Sequence, residues 1–110
     1  MSDNAFDPNQ LLAQARELSG KMQRIQEELR VRTVEVTVGG GMVTCEMNGG
    51  LEVTRISIDP QAVDPRDVQM LQDLIVAAVN QAHAQAKEMM QQELQRATGL
   101  PLGSLLGGLG

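Results

Sequence analysis

Between residues 11 and 29 the apolar side chains recur at alternating steps of four and three residues. They are Leu11, Ala15, Leu18, Met22, Ile25 and Leu29, and together they are called the apolar stripe below. On an α-helix, which turns about 100° per residue, this spacing places them on one narrow face, and most residues between them are polar or charged. An isolated helix of this length is only marginally stable in water. The stripe therefore predicts packing against another helix, from the same chain or from a second copy of it.

The composition also favours a chain that completes its interior by association. At 110 residues the size predicts one domain, and such a chain buries only roughly two thirds of its extended surface when it folds alone. Phe6 is the single aromatic residue, while seven methionines can serve as flexible filling. We therefore expect a homodimer.

Turn and cap residues predict the order helix, three strands, helix, which is an α+β fold. Asp7-Pro8 is typical of a helix start, because aspartate caps the first free N–H groups and proline fits the first turn. After the first helix, apolar residues alternate with polar ones on two strands that Gly39-Gly40-Gly41 separates. The inward-facing positions are Val34, Val36, Val38, Val43, Cys45 and Met47. Asn48-Gly49 predicts a second hairpin, so the sheet is a three-stranded antiparallel meander with open edges that invite pairing across a dimer axis.

The third strand, roughly from Leu51 to Ile58, breaks the alternation. Leu51 and Val53 share one parity, whereas Ile56 and Ile58 have the other. Either a bulge near Thr54 resets the register, or both faces of the strand are covered.

The second long helix is predicted to start at Asp64-Pro65-Arg66-Asp67 and to run to about Ala97. Residues 68–79 are apolar enough to lie on the sheet, and we expect residues 80–96, rich in Gln, Ala and Met, to form a more exposed arm. The organisation predicted is thus a disordered segment at residues 1–6, one dimerising domain at residues 7–101 and a flexible Gly/Leu-rich tail at residues 102–110.

The sequence gives little support for catalysis. His83 is the only histidine, and its helical position predicts a solvated side chain. Cys45 is the only cysteine, and its strand position predicts a buried structural thiol. No cluster has the spacing of metal ligands, and the glycine turn lacks the residues of a phosphate loop. We expect no enzyme, no catalytic residue, no cofactor and no metal.

The same sequence lacks a recognisable signal peptide and any apolar run long enough for a membrane span. One cysteine allows no intrachain disulfide. These features predict a cytoplasmic protein without a membrane partner.

Charge is distributed unevenly along the chain. The whole sequence holds nine basic and fourteen acidic residues, for a net charge of −5, yet residues 10–32 hold five basic and three acidic ones. On a helical wheel Arg16, Arg24 and Arg30 share the face opposite the apolar stripe with Glu27, and Lys21 lies nearer the edge of that face. This is either a solvated helix face or a surface for phosphates, doubled by dimerisation. Because the chain has almost no aromatic side chains, a DNA-binding mode would be backbone contact to duplex rather than base stacking.

Five segments, taken in order, resemble the YbaB/EbfC family of bacterial nucleoid-associated proteins. They are KMQRIQEE at 21–28, GMV at 41–43, NG at 48–49, ISIDP at 56–60 and LQDLIVAAVNQA at 71–82. The resemblance extends over residues 11–101 and rests on the order and spacing of these segments.

The resemblance implies a sheet-mediated homodimer with projecting helical arms. It further implies duplex DNA binding, mainly through backbone phosphates and with weak sequence preference, in the nucleoid and in nucleoid organisation or gene expression. The candidate DNA-binding residues are then Arg16, Lys21, Arg24 and Arg30 on the first helix and Lys87 and Arg96 on the last. Glu88 and Glu93 lie beside the last two. The alternative is an adaptor or chaperone-like scaffold that holds a protein partner on the Met and Leu surfaces of the arms.

Overall fold

The computed structural model describes residues 7–99. Helix α1 covers Pro8–Val31, strands β1, β2 and β3 cover Thr33–Val38, Val43–Asn48 and Val53–Ile58, and helix α2 covers Val68–Thr98. One turn of 3₁₀-helix at Pro60–Ala62 lies between β3 and α2. The predicted α+β architecture, with one long helix before and one after a three-stranded antiparallel meander in the sequence, is confirmed. The predictions of a disordered start at 1–6 and a flexible tail at 102–110 lie outside the described residues.

The helix ends follow the capping chemistry of the sequence. The Asp7 carboxylate accepts a hydrogen bond of 2.9 Å from the backbone N–H of Asn9, and Gly99 ends α2 in the left-handed conformation, with φ of 72°. The start of α2 lies at the end of the predicted segment 64–67. The Asp64 carboxylate accepts a hydrogen bond of 2.9 Å from the backbone N–H of Arg66 and so forms a separate turn. Asp67 is therefore the N-cap, and α2 begins at Val68.

The sheet has the order β1-β2-β3, with both neighbouring pairs antiparallel. Glu46 pairs with Arg55 and Met47 pairs with Val53, which leaves Thr54 without a partner residue on β2. Of the two explanations for the change of parity, the structure shows the bulge. The Thr54 hydroxyl donates to the backbone carbonyl of Glu46 at 3.2 Å. The bulge brings the apolar residues of β3 to the same face of the sheet as those of β2.

Helix α2 packs on that face of the sheet, chiefly across β1 and β2. The buried core consists of Val36, Val43, Cys45 and Met47 from the strands and Ala78, Ala82 and Ala86 from α2. Alanines four residues apart lie on one side of the helix, and their small side chains let its backbone come close to the sheet. Most of residues 80–96 are exposed, as expected for the more exposed half of α2. Ala82, Ala86 and Glu93 are nevertheless buried, so this half does not project free of the rest of the described structure.

Only the C-terminal half of the apolar stripe is buried within the described chain. Ile25 and Leu29 are 3% and 4% exposed, whereas Leu11 and Leu18 are 53% and 51% exposed. Leu29 lies on the β2–β3 turn, where the backbone N–H of Gly49 donates to the Leu29 carbonyl at 2.8 Å. This hydrogen bond fixes the end of α1 against the sheet.

Gly49 has no room for a side chain, because a Cβ at this position would lie 2.6 Å from Cδ2 and 2.9 Å from the carbonyl oxygen of Leu29. We expect Gly49→Ala to lower the free energy of unfolding by about 1–3 kcal/mol, the usual cost of overpacking. Chemical denaturation monitored by circular dichroism measures this change.

Gly20→Ala is the matched control, since a Cβ there would meet only the Arg24 Nη1 at 3.8 Å. Alanine in a helix interior should raise the free energy of unfolding by about 0.5–1 kcal/mol. Equal effects of the two substitutions would contradict the close packing of Leu29 on Gly49.

Candidate nucleic-acid interface

The first part of α1 extends beyond the rest of the described structure. Arg32, at the end of α1, pairs with Glu93 of α2. One turn before Arg32 lies Glu28, whose charge helps to raise the pKa of Arg96, about one turn after Glu93. The two helices thus run antiparallel where they meet, and α2 ends at Thr98. Residues 8–24, called the α1 arm below, contain no buried residue and would span roughly 25 Å at the usual helical rise.

The basic residues predicted on α1 all project into solvent. Arg16, Lys21, Arg24 and Arg30 are exposed, and none of them forms an ion pair within residues 7–99. Each arginine therefore keeps its five N–H donors and its charge available for an external acceptor. The first three of these residues lie on the α1 arm, and Arg30 lies near its base.

The two candidates on α2 occupy different environments. Lys87 is exposed and makes no ion pair with any residue in the described range. Arg96 is held by Glu93, to which its Nε donates at 3.3 Å and its Nη2 donates as well. The structure thus leaves Lys87 free and Arg96 anchored.

Glu93 links the ends of the two helices. Its side chain is 5% exposed and it accepts hydrogen bonds from Arg96 and, at 2.9 Å, from the Arg32 Nη1. The hydrogen bond to Arg96 is the main reason that the pKa of Glu93 lies below its ordinary value, with the charges of both arginines adding to it. The same bond raises the pKa of Arg96.

Arg32 is one of the five basic residues of segment 10–32 but was not among the candidate DNA-binding residues. It follows the last turn of α1, and its partner Glu93 lies 61 positions away in the sequence. Helical periodicity compares residues three or four positions apart, so it carries no signal for this pair. The two remaining arginines of the described range are paired elsewhere, Arg55 with Glu35 and Arg66 with Asp64.

The groups that could support other chemistry are placed as follows. The thiol of Cys45 is fully buried, and burial raises its pKa. His83 is exposed on α2. Among residues 7–99 no three His, Cys, Asp or Glu side chains are grouped closely enough to hold a metal ion. No helix in this range has the length and apolar character needed to cross a bilayer.

Comparison with known proteins gives a consistent result over most of the sequence. The model of the YbaB/EbfC DNA-binding family matches residues 4–100. This chain belongs to the YbaB/EbfC DNA-binding family. One relative is a protein named nucleoid-associated protein from Acetivibrio thermocellus, which is 48% identical over 90% of this chain and 87% of its own length. Another, of the same name, comes from Moorella thermoacetica and is 50% identical over 83% of this chain and 88% of its own length.

The fold of this YbaB/EbfC chain is also found in a solved structure. The crystal structure of the uncharacterized protein HP0035 from Helicobacter pylori superposes with a TM-score of 0.72. The match covers 79% of this chain and 91% of that one at 22% identity, which establishes similarity of fold.

The low pKa of Glu93 predicts a pH dependence of stability. In the unfolded chain Glu93 takes up a proton near its ordinary pKa of 4.5. In the folded chain it does so only at lower pH. The stabilisation is therefore complete above about pH 4.5 and is lost as the pH falls through the lowered pKa. Melting temperatures between about pH 7 and pH 3 should show Glu93→Gln to be less stable than wild type at neutral pH, with the difference shrinking in acid.

Glu27→Gln serves as the control, because Glu27 is exposed and makes no ion pair in the described range. Its melting temperature should follow that of wild type across the pH range. A Glu93→Gln profile parallel to wild type would contradict the proposed link between the two helices.

Proposed function

We propose that this protein is a dimeric nucleoid-associated protein that binds duplex DNA mainly through backbone phosphates. It has weak sequence preference and acts in the cytoplasm, in nucleoid organisation or regulation of gene expression. The observation that carries the proposal is the set of exposed cations on α1 that no carboxylate of the described chain neutralises. Membership of a DNA-binding family supports the same conclusion.

The uneven charge of the chain explains how an acidic protein binds a polyanion. Residues 10–32 hold five of the nine basic residues and three of the fourteen acidic ones, which leaves four basic and eleven acidic residues elsewhere. At physiological ionic strength charges further apart than about 8 Å are largely screened. The local charge of the α1 arm then decides where DNA binds, while the acidic remainder keeps DNA away from the sheet.

Phosphate contact by lysine and arginine carries no base identity. Arg16, Lys21, Arg24 and Arg30 would approach the backbone from α1, and Lys87 and Arg96 would bind further phosphates from α2. Within residues 7–99 there is no aromatic side chain to stack on a base. Weak sequence preference follows from both features.

Dimerisation is proposed because two apolar surfaces are left uncovered by residues 7–99. One is the N-terminal half of the apolar stripe. The other is β3, where Val53 and Ile58 are 46% and 37% exposed on the face that α2 covers over the other strands. The opposite face of the sheet is polar, with Thr37 bonded to Thr44 and Glu35 near Arg55. A second copy placed along β3 would cover apolar residues and present two α1 arms to one duplex.

The exposed leucines of the α1 arm also support the second candidate, an adaptor or chaperone-like scaffold. Leu11, Leu12 and Leu18 are about half exposed and could hold an amphipathic helix of a protein partner. Copurification before and after nuclease treatment separates the two functions. Partners released by nuclease support the DNA-binding function, whereas partners that stay bound favour the adaptor.

Mobility shifts with duplex DNA over a salt series test the proposal directly. Affinity should fall steeply with salt. The double variant that combines Arg16→Gln and Arg24→Gln should show a smaller slope of log K against log salt, by about 0.9 for each phosphate that the protein no longer neutralises. Affinity near 0.1 M salt should fall at least about tenfold, because both arginines bind phosphate through charge-assisted hydrogen bonds. Circular dichroism should show unchanged helicity.

Arg55→Gln with Arg66→Gln is the matched control, since it removes the same charge from exposed arginines outside α1. This variant should retain the wild-type salt slope. Equal weakening of binding in the two double variants would indicate a response to net charge alone and would contradict a binding face on α1.

A further inference from the structure

We propose that Arg32 and Arg96, joined by Glu93, form a two-arginine site for a backbone phosphate of duplex DNA. The site lies where the end of α1 meets α2. This inference rests on the proposed DNA-binding function and extends it from single exposed cations to a built site. Arg32 becomes a DNA-binding residue, and Glu93 becomes a positioning residue.

The geometry supplies two guanidinium groups on one carboxylate. Arg32 uses its Nη1 and Arg96 uses its Nε and Nη2 to hold Glu93. The Nε and Nη2 of Arg32 and the Nη1 of Arg96 have no hydrogen-bond partner within the described range. The side chains of Arg32 and Arg96 are 51% and 74% exposed, so these donors can reach an acceptor in solvent.

A cleft provides the space for that acceptor. It has a volume of about 370 Å³ and is lined by Arg32, Met89, Gln92, Glu93 and Arg96. Two methylene-rich arginine stems and a methionine border it, and the guanidinium groups supply its charge. The forked donors of arginine match the oxygens of a phosphate group better than a lysine ammonium does.

The charge balance of the cluster favours an anion. Two guanidinium groups face one buried carboxylate, which leaves one positive charge unmatched inside the cluster. Glu28 on α1 also acts on Arg96 and offsets part of this surplus. Because Glu28 is exposed, solvent and salt screen only part of its charge, and the rest opposes the binding of an anion.

Glu93 does more than neutralise charge, because it holds two long side chains in fixed positions before any ligand arrives. A flexible surface arginine loses rotamer freedom when it binds, and an arginine already held by a carboxylate loses less. The α1 arm offers separate, exposed cations that no ion pair holds within residues 7–99, whereas this site offers two arginines held by one carboxylate. The end of α1 would then fix the position of DNA along the arm.

A purely structural role for the cluster predicts a different set of results. In that case the three residues only tie α1 to α2, so their removal lowers the melting temperature and leaves the DNA affinity of the folded protein unchanged. The salt slope distinguishes the two roles, because it counts phosphates neutralised and does not respond to fold stability.

The test uses the 110-residue chain and a short duplex over a salt series, at temperatures where circular dichroism shows each variant folded. Arg32→Gln should reduce the salt slope by about 0.9 for each site occupied and weaken binding several-fold. Arg32→Lys keeps the charge and should retain most of the slope, even if it loses the forked geometry. Arg55→Gln is the matched control and should behave as wild type.

Glu28→Gln adds a test in the opposite direction. Removing this exposed carboxylate should strengthen duplex binding, and the gain should vanish when Arg96→Gln is combined with it. Unchanged slope and affinity for Arg32→Gln would overturn the proposed site.

The outcomes also separate this inference from the proposed function. If wild type binds duplex and Arg16→Gln with Arg24→Gln weakens it, but Arg32→Gln does not, only the two-arginine site fails. If wild type binds no duplex at low salt, both fail. Titration with inorganic phosphate, followed by the side-chain NMR signals of Arg32 and Arg96, should give no saturable shift at low millimolar phosphate. Saturation there would assign the site to the free ion and overturn its assignment to DNA.

Discussion

Apolar surface that residues 7–99 leave exposed is the constraint on which the rest of this structure depends. The chain builds its core from four strand residues and three alanines of α2, and the small alanine side chains bring little area to it. Beyond that core, Leu11, Leu18 and Val53 stay about half exposed. Each buried Å² of such surface contributes roughly 25 cal/mol, so a second copy that covers both regions would add substantially to the stability of a small domain.

The same arrangement separates the charges of the protein in space. The α1 arm carries its cations away from an acidic body, and α2 and the β2–β3 turn fix its base through Leu29 and the Arg32–Glu93 pair. A rigid base is useful because a flexible arm would lose conformational freedom on binding DNA. Under the proposed function, the packing of Leu29 on Gly49 contributes indirectly to DNA binding, since it sets the direction of the arm.

Local chemistry made much of the fold predictable from the sequence. Asp7 caps α1 with its carboxylate, as the sequence predicts. The change of parity in β3 limited the possibilities to a bulge near Thr54 or a strand covered on both faces, and the structure shows the bulge. Composition alone did not predict how the second half of α2 packs. Residues 80–96 are rich in Gln, Ala and Met, which suggested an exposed arm, but alanines at four-residue spacing let the helix lie against the sheet. The Arg32–Glu93 pair was missed because it is tertiary, and the exposed face of α1 was found because it is periodic.

Oligomeric state tests the central claim most directly. Sedimentation equilibrium of the DNA-free protein at micromolar concentration measures its mass without reference to any ligand. The account predicts twice the chain mass of 11.9 kDa, because two copies are needed to cover the apolar stripe and β3. A species of 11.9 kDa that melts cooperatively at the same concentration would contradict it.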